Sequence, residues 1–159
     1  MTIIDVQIAC EGDHPTESQF QTWVDTALQK VDKEVVGTAD IELSLRLVDE
    51  AECAELNLNY RGKTGTTNVL SFPFDSPIPI KPRLLGDLVI CTPVVEQEAK
   101  QQSKKVDEHW THLVVHGCLH LLGYDHIEDD EAEIMEALEV TILQSLNIEN
   151  PYLEKEVLS

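Results

Sequence analysis

At 159 residues the chain has enough length for one domain with a proper hydrophobic core. It lacks any apolar run approaching the ~18 residues that a membrane-spanning helix requires, which excludes that class. Thirty acids against eleven bases give a net charge of −19, the wrong sign for a general nucleic-acid binder, so the placement of the few bases matters.

The predicted elements alternate between strand and helix periods. Residues 3–9 place Ile4, Val6 and Ile8 on one side, as a strand does. Thr16 and Gln19 form a capping box, and the following helix to about Lys30 turns Phe20, Val24, Leu28 and Val31 inward. Residues 41–48 alternate as a second strand. Asp49 caps a helix with Glu52 at its third position, running to about Tyr60. Residues 67–72 and 86–91 read as two further strands, and the proline-rich 76–83 between them as a loop. Thr92-Pro93 reads as an N-cap followed by proline at the first helical position, opening a helix to about Lys104. A buried helix spans Asp107 to Leu122, and a last one runs from about Asp129 to about Asn147. The expectation is a single α+β domain over residues 1–159, a mixed four-stranded sheet packed with about five helices, one of them a buried histidine-bearing helix. The N-terminus lacks a basic region and a small-residue cleavage site, so it reads as a strand and not a signal peptide. Cys10, Cys53, Cys91 and Cys118 are scattered without a C-x-x-C pair, as free thiols of a cytoplasmic protein would be. Cys118 points off the face of its histidine neighbours and reads as core.

That buried helix carries the chemistry. Residues 116–126 read HGCLHLLGYDH. His116 and His120 are one helical turn apart and share a face. Gly123 can take the left-handed conformation that stops the helix and returns His126 toward the pair. Three imidazoles around a divalent ion with one position open form a catalytic metal arrangement. His112 cannot join both, because His112 to His120 spans about 12 Å of helix rise, whereas metal–nitrogen bonds are about 2.0–2.1 Å. His112 therefore reads as a group behind the ligands or one lining the site, and His109 as a surface residue. The spacing matches the zinc-protease pattern H-E-x-x-H-x-x-G-x-x-H, but Gly117 stands where the protease has its general base, and no Met-turn is evident. An ion can acidify water without that Glu, so hydrolysis remains with the substrate class open.

Two further blocks accompany the histidines, YRGKTGTTNVLSFPF at 60–74 and LGDLVIC at 85–91. In this order and spacing the three blocks resemble the YbeY family of metal-dependent endoribonucleases that mature ribosomal RNA. The family's usual first block has Lys-Asp and Thr-Asp where this chain has Lys63-Thr64 and Thr67-Asn68; Asn68 keeps the shape of Asp and loses its charge. The resemblance implies a zinc-dependent, single-strand-specific endoribonuclease acting in 16S rRNA 3′-end processing and ribosome quality control. It implies one zinc ion on His116, His120 and His126. It further implies single-stranded RNA as substrate, with the small ribosomal subunit or its assembly factors as partners. It also gives Arg61 a role: at the end of a helix and the lip of a loop, its guanidinium can hold a phosphate at two points and stabilise charge building there. Without the resemblance, a surface ion pair would serve equally well.

Charge is segregated along the chain. Residues 125–139 contain eight acids, and residues 46–105 contain eight of the eleven bases, including Arg61, Lys63, Lys81 and Arg83. Asp125 could orient a ligand imidazole or cap a turn, and Tyr124 could meet substrate or pack. Two other readings compete with the nuclease. One is a metalloprotease-like hydrolase drawing its base from outside the motif. The other is a non-catalytic ribosome assembly factor in which zinc only fixes the fold.

Overall fold

A computed structural model describes residues 2–32, 36, 40–74, 83–124 and 128–151. Among these, four strands form one sheet: β1 (Thr2–Ala9), β2 (Ile41–Val48), β3 (Val69–Pro73) and β4 (Arg83–Cys91), in the order β1-β2-β4-β3. The β1/β2 and β2/β4 pairs are parallel and β3/β4 is antiparallel, so the sheet is mixed and β3 is an edge strand. Five helices accompany it: α1 (Glu17–Lys30), α2 (Glu50–Arg61), α3 (Thr92–Gln101), α4 (Val106–Leu121) and α5 (Asp129–Ser145). The α+β expectation holds.

The period-2 pattern of β2 explains the layering. Ile41, Leu43, Leu45 and Leu47 bury on one face, where they join Leu88 and Ile90 of β4 and the apolar sides of α1, α4 and α5. Phe20 packs edge-on against both Trp23 and Trp110, tying α1 to α4. On the opposite face α2 and α3 cover only part of the sheet, through a smaller cluster of Val48, Cys53, Leu70, Val89 and Cys91. Ten of the sixteen residues of α4 are buried, so this helix is the axis of the core.

Local signals act as the chain predicts at several ends. Thr16 Oγ1 accepts from Gln19 N–H at 3.1 Å, and Gln19 Oε1 accepts from Thr16 N–H at 2.8 Å, completing the capping box. Asp49 accepts from Glu52 N–H at 2.9 Å.

Other boundaries differ from the sequence reading. Thr92 is inside α3, and Cys91 is its N-cap, because β4 runs directly into the helix and buries Thr92. Helix α3 stops at Gln101, before Lys104: Ser103 adopts φ 54° and Lys104 N–H returns to Ala99 C=O at 2.9 Å, a helix stop without the usual glycine. Strand β4 starts at Arg83, whose N–H donates to Asp40 C=O at 2.7 Å, so pairing reaches into the segment taken as loop. Strand β3 starts at Val69, because Thr67 C=O is engaged by the Cys53 thiol at 3.2 Å.

Candidate metal centre

Helix α4 presents His109, His112, His116 and His120 along one stripe, with neighbouring ring centroids 6.4, 6.3 and 4.5 Å apart. The last pair is different in kind. His116 Nε2 and His120 Nε2 face each other at 3.0 Å. Two nitrogens at that separation share either one proton or one ion. Ligands about 2.0–2.1 Å from a tetrahedral ion lie ~3.4 Å from each other, so a small shift of one ring fits the pair to a metal. Gly123 takes φ 102° just past the end of α4, and its N–H donates to His120 C=O at 3.0 Å, the helix stop expected there. His126 and Asp125 lie outside the described residues. Among the described residues no three His, Cys, Asp or Glu side chains converge on one point. The structure thus brings together two of the three expected ligands, His116 and His120.

Behind the pair lies a group the sequence reading did not single out. Glu139 of α5 is 0 % exposed. Its Oε1 accepts from His116 Nδ1–H, and its Oε2 accepts from His112 Nε2–H at 3.2 Å. The signal was present: Met135, Glu139, Ile142 and Leu143 are the buried residues of α5 and recur at helical spacing, so Glu139 occupies a core position inside an acidic run. His112 lines a cavity of about 410 Å³ on the other side, with Lys104 and Lys105, rather than the space in front of His116.

In front of the pair is a cavity of about 740 Å³, lined by His116, His120, Tyr124, Arg61, Lys63, Asn68 and the edge strand β3. Arg61 reaches it because Gly62, at φ 67°, terminates α2; its N–H donates to Leu58 C=O at 3.0 Å, and Lys63 N–H to Asn57 C=O at 3.4 Å. The loop that follows is stapled to α2. Asn57 Nδ2 donates to Gly65 C=O at 3.0 Å, and Cys53 donates to Thr67 C=O. At its far end Asn68 Nδ2 donates to Glu98 Oε1 at 3.1 Å, while Asn68 Oδ1 accepts from Val69 N–H at 2.7 Å. An Asp at 68 would set a carboxylate against Glu98; the amide turns that contact into a hydrogen bond. The described lining contains two cations and no carboxylate, in a chain of charge −19.

A family model described as Endoribonuclease YbeY matches residues 7–147. The chain belongs to the YbeY endoribonuclease family. A solution structure of TM1509 from Thermotoga maritima is similar, with a TM-score of 0.54 at 26% identity, covering 90% of this chain and 92% of that one. Family membership makes the chain an RNA-cutting hydrolase of ribosomal RNA maturation. No described helix is long and apolar enough to cross a membrane.

Within this YbeY-family chain, Gly117 is a packing position. A Cβ there would lie 2.7 Å from Leu88 Cδ2, and Leu88 is fully buried in the sheet. The protease's glutamate therefore has no room at this position. Gly117→Glu is expected to destabilise by roughly 3 kcal/mol or more, the scale of an unpaired buried charge, and to lower Tm by about 10 °C for a domain of this size. Thermal unfolding checks this; an unchanged Tm would mean that α4 can lift from the sheet. Cys118, fully buried, has its thiol pushed up to about 12 by that burial, so it stays protonated and is core, as expected.

His109 corrects a sequence expectation. It is 4 % exposed, not a surface residue, and its Nε2–H donates to Glu98 Oε1 at 3.0 Å. Burial lowers its pKa from the ordinary value against the opposing pull of Glu98. A histidine depressed in the folded state is neutral there while the unfolded chain still takes up a proton. Its contribution to stability is complete above the unfolded value, about 6.5, and is lost as pH falls from there toward the folded pKa. Denaturation across pH 5–8 should show a shallower acid-side loss in His109→Gln than in wild type. Equal slopes would show that His109 charges freely in the fold.

Proposed function

We propose that the chain is a zinc-dependent endoribonuclease specific for single-stranded RNA, acting on the 3′ end of 16S rRNA and in ribosome quality control. The observation that carries the reading is that Arg61 and Lys63 share one cavity with the His116–His120 pair, while no described residue of that cavity is an acid. The imidazole donors suit zinc among the common divalent ions; His116, His120 and His126 would hold it. When bound, it supplies Lewis-acid stabilisation of a phosphate oxygen and acidification of water.

The protein's own residues position the strand. Arg61 grips the scissile phosphate at two points and meets the charge that builds on it. Lys63 holds a neighbouring phosphate as a point charge. The paired imidazoles line a cavity within the ~300–1,000 Å³ range of small-molecule sites, and a flexible single strand can bend its backbone toward them. A duplex cannot. The ribosomal small subunit or its assembly factors would bring the substrate to a protein whose charge disfavours free RNA.

The protease reading is disfavoured by the same lining, which offers no described carboxylate as general base, and by the space around Gly117. Purified protein with one equivalent of zinc should cleave single-stranded RNA oligonucleotides, spare the same sequence in a duplex, and leave casein intact. Casein cleavage abolished by His116→Ala, with RNA untouched, would reverse the assignment.

A further inference from the structure

We infer that Glu139 is the positioning residue of the metal centre: its carboxylate fixes the proton of His116 on Nδ1 and leaves Nε2 as a lone pair aimed into the cavity. The inference rests on the reading of His116 as a ligand. A carboxylate only accepts, so the contact of Glu139 Oε1 with His116 Nδ1 assigns the ring proton to that nitrogen. The opposite nitrogen is the one that faces His120. A neutral imidazole has two tautomers, and only this one presents the inner nitrogen as a donor to an ion.

The second oxygen gives Glu139 its own anchor. His112 Nε2–H holds Oε2 at 3.2 Å, so the carboxylate is gripped from two sides and cannot rotate away from His116. Glu139 is fully buried, with α5 packed on α4. A carboxylate in that position is costly to fold around unless both oxygens are satisfied. Two histidines one turn apart on α4 satisfy them. Helix α5 therefore contributes a buried anion to the ligand stripe without contributing a ligand.

The test uses the full-length protein and zinc as probe, with three readouts: zinc affinity by chelator competition, histidine tautomers by two-bond ¹⁵N–¹H correlation in the metal-free protein, and thermal unfolding. In wild type His116 should be the Nδ1–H tautomer alone. In Glu139→Leu both tautomers should appear, and zinc affinity should fall roughly 10–100-fold, as for loss of an outer partner of a metal-binding histidine. Glu139→Gln keeps an acceptor oxygen for His116 and should recover part of the affinity, with the tautomer largely preserved. A folded Glu139→Leu with a pure Nδ1–H tautomer and wild-type zinc affinity overturns the inference. If Glu139→Leu does not fold, a wild-type His116 that is not the Nδ1–H tautomer overturns it instead. His116→Ala separates the two levels: zinc binding unchanged in that variant defeats the metal reading itself, whereas loss there with no effect at Glu139 defeats only the positioning role.

Discussion

His120→Ala is expected to lose zinc and with it RNA cleavage, by at least ~10³-fold, the several kcal/mol that a Lewis-acid ion contributes at a phosphoryl centre. His120 is in the last turn of α4, and its Nε2 faces that of His116 at 3.0 Å. Removing it leaves one described imidazole where two converged. The fold should persist, because His120 lies at the cavity wall rather than in the core cluster and Ala is the best helix former. His109→Gln is the control: its ring meets Glu98, far from the pair, so it should retain the metal. Metal analysis of the two purified variants, with oligonucleotide cleavage before and after chelation and zinc replacement, checks both. Full zinc occupancy in His120→Ala would mean that the ligands are elsewhere.

Arg61→Ala should leave folding and metal content unchanged and lower RNA cleavage by roughly 10²-fold or more, the scale of losing a donor to developing charge. Arg61 is exposed at the end of α2, and such a surface cation contributes little to stability. Its position is set by the backbone around it, the Gly62 helix stop and the loop stapled to Asn57 and Cys53, none of which needs the guanidinium. Arg61→Lys should recover only part of the activity, since an ammonium cannot reproduce a two-point grip on phosphate. In cells the matching outcome is accumulation of unprocessed rRNA ends at normal protein level. Wild-type cleavage by Arg61→Ala, or a loss traced to unfolding or metal release, would make Arg61 structural and move the phosphate grip to Lys63, the other cation of the described lining.

What could be read in advance follows from how local each signal is. The α4 pair was legible because i, i+4 spacing places two rings on one face in any helix, and Gly123 marked where that helix ends. The placement of Arg61 beside the pair was legible only through the blocks around it, since a lone helix-end arginine has no distinctive pattern. Glu139 was hidden by its neighbours: seven other acids between 125 and 139 made a core position look like part of a solvated face. His109 was misread because its partner Glu98 comes from another helix, and no spacing along one chain segment announces that contact. The early end of α3 depended on Ser103 taking a left-handed conformation that composition assigns to Gly or Asn. Glu139 and His109 were missed because their deciding contacts join two helices; the facing of His116 and His120 lies within one.

The described lining of the cavity, which holds no acid, has a consequence for traffic in a crowded solution. An approaching polyanion meets a molecule of net charge −19, whereas the described lining of this cavity carries Arg61 and Lys63 without an acid. At physiological salt, screening confines attraction by Arg61 and Lys63 to within about 8 Å of the opening. Only a strand already held at the aperture comes under the pull of the two cations. Raising ionic strength weakens the barrier as well as the grip, so capture of bulk RNA should decline far less steeply with salt than for a basic nuclease. Discrimination of this kind needs no reading of bases; net charge raises a fence, and the two cations of this cavity lower it locally.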